Sequence, residues 1–193
     1  MLKITKTGAA ERQLNTAIRL FFENRDHLSS YALAIASREL TNGVIQRQRS
    51  DIYRRELARL DDPLKVRLSY WEEMKVHIKN EFHKDFIKLD HKLQNFLKHS
   101  GTDPDAEIEP VSAKRLALVI LSAVMNYRLL TQDLTIEMKF FFAWFTIAEP
   151  QLVNLASIDA MTNKAIAGML NYVSDDPYGR DTLENIYAAM RLI

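Results

Sequence analysis

Between Pro63 and Gly101 the chain contains neither glycine nor proline, and its apolar residues there keep one helical phase. Leu64, Leu68, Trp71, Met74, Ile78, Phe82, Phe86, Leu89, Leu93 and Phe96 fall on a single stripe when each residue is turned by about 100°. Asp62 suits the N-cap and Pro63 the first helical position, so the pattern predicts one long helix, or two nearly collinear ones, ending near His99. Ser100-Gly101-Thr102-Asp103-Pro104 then breaks it.

The same spacing recurs through most of the chain, and no convincing pair of strands is present. The expected fold is all-α: a helical bundle with antiparallel hairpins and one long helix, in a single domain over residues 1–193 with additional C-terminal helices. A first helix from about Gly8 to Asn24 turns Leu14, Ala17, Ile18, Phe21 and Phe22 inward. A second, from about His27 to Thr41, has Asp26 as its cap, Asn42-Gly43 as its stop, and Leu28, Tyr31, Ala32, Ile35 and Ala36 inside. The tight connection predicts antiparallel packing of this pair.

Val44 to Leu60 carries Arg47, Arg49, Arg54, Arg55 and Arg59, with Asp51 and Arg55 at helical spacing. It reads either as a solvated face or as a phosphate track. Ser112 to Leu130 predicts a deeply buried helix, and Asp133 or Thr135 starts another that Pro150 ends. Its run Phe140 to Phe145 covers more than one face, which suits a core or an interface between copies. Ser157 to Val173 supports a further helix, and a last one begins near Asp181, where Asp181 and Glu184 have capping-box spacing.

The charge is uneven although it sums to +1: residues 1–100 hold 19 Lys/Arg against 13 Asp/Glu, and residues 101–193 hold 7 against 12. Such a division suits an anion-facing surface on the first half or mutual attraction of the halves. Without cysteine the chain uses no disulfide or thiol chemistry, and the first residues lack the apolar run of a signal peptide; a cytoplasmic location is expected. The apolar segments Leu116 to Met125 and Phe140 to Ala148 are too short to span a membrane.

Lys88, Lys92, Asn95 and His99 return to nearly one angle beside the apolar stripe, where partial desolvation tunes an imidazole and strengthens contacts to an anion. A half-buried histidine capping helix carbonyls fits the same position. His77, His83 and His91 do not converge with His99, and the acids from Asp103 to Glu109 lack calcium-loop spacing, so no metal is expected. There is no glycine-rich phosphate loop and no nucleophile motif, and no cofactor is expected.

Ala10-Glu11-Arg12-Gln13-Leu14, Ala17 to Glu23, Asn95-Phe96-Leu97-Lys98-His99 and Asp103-Pro104-Asp105 resemble an uncharacterised bacterial all-helical family, which in turn resembles HEPN-type domains. The similarity covers roughly residues 8–40 and 92–109. HEPN-type domains carry an arginine, a polar residue that is often asparagine and, a few residues on, a histidine; Gln94, Asn95 and His99 take those places. The resemblance implies a homodimer and RNA chemistry without metal, the histidine moving a proton at the ribose hydroxyl and the arginine holding the phosphate. Gln94 lacks that fixed positive fork, and Lys92, better placed than Lys98, offers a point charge instead. The resemblance therefore implies RNA or cognate-protein binding in bacterial stress or defence, with weak or lost ribonuclease chemistry. Its alternatives are a noncatalytic homo-oligomeric interaction protein, a metal-independent ribonuclease using His99 with Lys92, and a binder of a small apolar ligand between helices.

Overall fold

In the computed structural model the described residues are 3–60, 111–153, 166–173 and 175–191. They form an all-α bundle with no strand among them. The helices are α1 (Lys6–Phe22), α2 (His27–Arg47), α3 (Arg49–Leu60), α4 (Ala113–Thr131), α5 (Ile136–Ala148) and α6 (Arg180–Met190). The long helix expected between Asp62 and His99 lies outside the described residues, as does most of the one expected from Ser157; residues 166–169 of the latter are helical.

α1 begins at Lys6, two residues ahead of the expected Gly8, and Thr5 caps it, its hydroxyl accepting the Gly8 N–H at 3.0 Å. Leu14, Ala17, Ile18, Phe21 and Phe22 are buried as their spacing predicts. Asn24, at φ 51°, makes the left-handed step out of the helix, and Asp26 caps α2 by accepting the Ser29 N–H. Hydrogen bonds from the Ser29 side chain and then its N–H hold the Asp26 carboxyl below the usual aspartate value.

Two hydroxyls record the register of the first hairpin. Ser30 Oγ donates to the Ala17 carbonyl at 2.7 Å and Ser37 Oγ to the Ala10 carbonyl at 2.8 Å, so α2 runs antiparallel to α1. The buried face of α2 is consequently more polar than expected. Ser30, Ser37, Arg38 and Thr41 are inside, Ala32 and Ala36 are half-buried, and Leu28 is 43% exposed. Small hydroxyl residues let the helix backbones approach while satisfying their own polar groups.

The expected stop at Asn42-Gly43 does not occur. Gly43 stays helical, and a Cβ there would meet nothing within 4 Å, so no turn makes use of the glycine. Continuation of α2 to Arg47 buries Ile45 beside Ile52, Leu129 and Leu130, a gain that outweighs the modest helix penalty of one glycine.

α1 packs against α2, α4, α5 and α6, and α2 packs against both α1 and α4. Ser112 caps α4, which is buried on nearly every side, and Thr135 rather than Asp133 caps α5. The aromatic run is core: Phe141, Phe142, Trp144 and Phe145 are buried, and Phe140 is half-buried against them. Phe21 meets Trp144 edge to face at 4.9 Å, and Phe22, Phe141 and Phe145 continue the cluster. The run thus faces this chain's own interior.

Gly179, not Asp181, precedes the last helix; a Cβ at this position would lie 3.0 Å from the Asp176 carboxylate. Glu184 pairs with Arg180 rather than closing a capping box. Leu183, Ile186 and Met190 dock on the core.

Candidate functional site

Three polar clusters are structural before they are anything else. In the seam between α2 and α4, Arg38 is 4% exposed and donates from Nη1 to Ser122 Oγ at 2.9 Å. Asn126 Nδ2 donates to the Arg38 carbonyl at 3.0 Å and to Thr41 Oγ1 at 3.1 Å, while Asn126 Oδ1 is buried with no hydrogen-bond partner among the described residues. Below α5, the buried Glu149 carboxylate receives Tyr178 Oη at 2.8 Å, Lys114 Nζ at 2.7 Å and Gln151 Nε2. Burial, with Glu149 beside it, raises the Tyr178 phenol well above its usual range. Tyr127 donates to Glu11 at 2.6 Å and is raised in the same way, burial first and the carboxylate second.

The third cluster positions α3. Gln48 ends α2, and its carbonyl accepts the N–H groups of Asp51 and Ile52, so the second helix begins almost where the first stops. Ile52 is buried with Ile45. Arg55 turns inward and donates to the carbonyls of Leu129 at 2.7 Å and Leu130 at 3.2 Å, closing the C-terminal turn of α4. Buried Glu56 accepts from Gln132 Nε2 at 2.5 Å and Arg59 Nη2 at 2.8 Å; Arg55 Nε lies 3.5 Å from it, an ion-pair distance. Gln132 itself stands at φ 63° as the C-cap of α4.

This anchoring divides the five arginines. Arg55 is half-buried on the inner side of α3 and Arg59, though exposed, is tied to buried Glu56, whereas Arg47, Arg49 and Arg54 are exposed with no bond to a buried side chain among the described residues. Asp51 pairs with Arg54 at 2.7 Å, not with Arg55 as spacing alone suggested, because the carbonyls ending α4 claim Arg55. Tyr53 stands one turn after Arg49 and is 36% exposed. A tyrosine one helical turn from an exposed arginine is the signal that spacing alone did not single out.

Such a face offers fixed positive charge and an aromatic surface. It suits binding of an anion, and acid–base chemistry near neutral pH has no group to run on there. Lys88, Lys92, Gln94, Asn95, Lys98 and His99 all lie outside the described residues, so the structure neither gathers them nor separates them. Among the described residues no group of three His, Asp or Glu could hold a metal ion, and no helix is long and apolar enough to cross a membrane.

No family model, curated protein or solved structure matches the chain.

Proposed function

We propose that this chain is a HEPN-like helical module that binds RNA in the cytoplasm of a bacterium, acting in stress or defence as a homodimer, with ribonuclease chemistry weak or lost. One observation carries the RNA reading: the cationic surplus of the first half includes arginines that the fold leaves on the surface at the α2–α3 corner. Fixed guanidinium groups with few competing acids attract a polyphosphate backbone and release its counterions. The substitution of Gln94 in the resembling motif argues for binding over cleavage, since no arginine stands there to stabilise charge on phosphorus.

The interaction-protein alternative drew on the long helix and on the surface of Phe140 to Phe145; that run is buried, and the long helix lies outside the described residues. A small apolar ligand would use the same rings, which instead contact one another.

RNA binding followed across a salt titration, with cleavage assayed in the absence of divalent metal, tests the proposal. The expected result is binding that weakens steeply with salt and leaves the RNA intact. Absence of salt-dependent binding removes the reading. Metal-independent cleavage that disappears in His99→Ala and Lys92→Ala, with both variants folded, replaces it with the ribonuclease alternative.

A further inference from the structure

We propose that the α2–α3 corner and the outer face of α3 hold single-stranded RNA, with Arg47 and Arg49 on phosphates and Tyr53 stacked against an unpaired base. This inference rests on the RNA-binding reading and adds to it the strand class and the contacting residues.

The inner side of α3 is committed through Ile52, Arg55 and Glu56, so its outward residues cannot rotate away from solvent. Arg49 and Tyr53, one turn apart, therefore present charge and ring together. Arg47 extends the charge across the corner, and Arg54 is held by exposed Asp51 and by a long hydrogen bond from its Nε to the Ser50 carbonyl. An exposed pair of that kind exchanges readily for a phosphate because water already screens it. The remaining acid of the helix, Glu56, is buried and already accepts Arg59 and Gln132, so it presents little charge to a ligand.

The ring selects the strand. Bases in a duplex are stacked on their neighbours and offer edges only, whereas a single strand can lay a base on an aromatic side chain without regard to its identity. Arginine alone would make a surface indifferent to strandedness, and Tyr53 is what distinguishes this one.

The test is fluorescence anisotropy of the full chain with a labelled oligouridine of about 12 nucleotides, repeated over a salt series. Arg47→Ala/Arg49→Ala should lower the salt slope by about 1.4, two single-strand phosphate contacts. Tyr53→Ala should weaken binding by about tenfold with the slope unchanged, and Tyr53→Phe should bind as the parent does. Thermal melts confirm that each surface variant remains folded.

Parent-like binding by Tyr53→Ala and by the arginine variant overturns the proposal; if Lys88→Ala/Lys92→Ala then loses binding, RNA recognition stands and its contact lies elsewhere. Failure of the parent protein to bind RNA removes both readings. Displacement of the RNA by polyglutamate with no effect of Tyr53→Ala identifies an acidic protein surface as the partner and also overturns it.

Discussion

Arg38 and Arg49 belong to successive helices and have opposite surroundings. Arg38 is enclosed between α2 and α4, where its guanidinium reaches Ser122 and its carbonyl accepts from Asn126. Arg49 stands at the start of α3 with its side chain in water. An arginine stays charged in either setting, so burial obliges the fold to surround it with partners, while exposure leaves its charge for something outside the molecule. The interior seam should therefore govern stability, and the outer face should govern association with anions.

The largest effect on stability is expected in the apolar centre of the bundle. Trp144 touches Phe21, Phe22, Phe141 and Tyr178, and its Nε1 donates to the Pro177 carbonyl at 3.0 Å. Trp144→Ala should cost about 3–5 kcal/mol in a urea unfolding experiment. A cost of no more than about 0.5 kcal/mol, the range of surface substitutions, would mean that this cluster does not carry the core.

Asn126→Ala probes the polar seam itself. It removes donors to the Arg38 carbonyl and Thr41 but also removes the unpartnered Oδ1, so the loss should be about 2 kcal/mol. Asn126→Asp should cost more than Asn126→Ala, because it places a second ionisable group in the seam and replaces the donating amide by acceptors. The reverse order would show that water reaches this seam and that its contrast with α3 is false.

These two regions were not equally legible in the sequence. Period alone placed the α1 core from Leu14 to Phe22, because each residue there meets an apolar neighbour and no polar partner competes. On α2 the same rule put Leu28 inside and passed over Ser30 and Ser37, whose burial depends on carbonyls of α1 that lie far away in the chain. Gly43 likewise read as a stop until the long-range contact of Ile45 with Leu129 and Leu130 was in view. Of the arginines from Arg47 to Arg59, spacing could not say which faced inward, since the end of α4 makes that choice. The strip from Lys88 to His99 remains a proposal from sequence.

A smaller effect, of about 1 kcal/mol for a lost buried hydrogen bond, is expected for Tyr178→Phe. It separates the Glu149 cluster from the surface by its pH dependence. Tyr127 and Tyr178 are both held above the ordinary phenol value of 10.0, principally by burial and then by Glu11 and Glu149. A phenol raised on folding stabilises the folded state below its ordinary value, and that contribution disappears as pH rises beyond it. The parent protein should accordingly lose melting temperature above about pH 10, and Tyr178→Phe should make the decline shallower. An identical decline in the variant would show that Tyr178 is open to solvent.

The smallest effect on stability, and the sharpest test of the comparison, is expected at Arg49. Arg49→Ala should change the unfolding free energy by no more than about 0.5 kcal/mol, since the inner side of α3 is anchored by Arg55 to the carbonyls of Leu129 and Leu130 and by Glu56 to Gln132. Urea unfolding of the variant checks this directly, with Arg55→Ala measured beside it. The Arg55 change leaves two carbonyls at the end of α4 without their donor and should cost about 1–2 kcal/mol. Equal losses at the two positions would mean that Arg49 also supports the fold, and its charge could not then be assigned to a ligand. A silent Arg49 beside a costly Arg55 would locate the boundary between architecture and recognition within two turns of one helix.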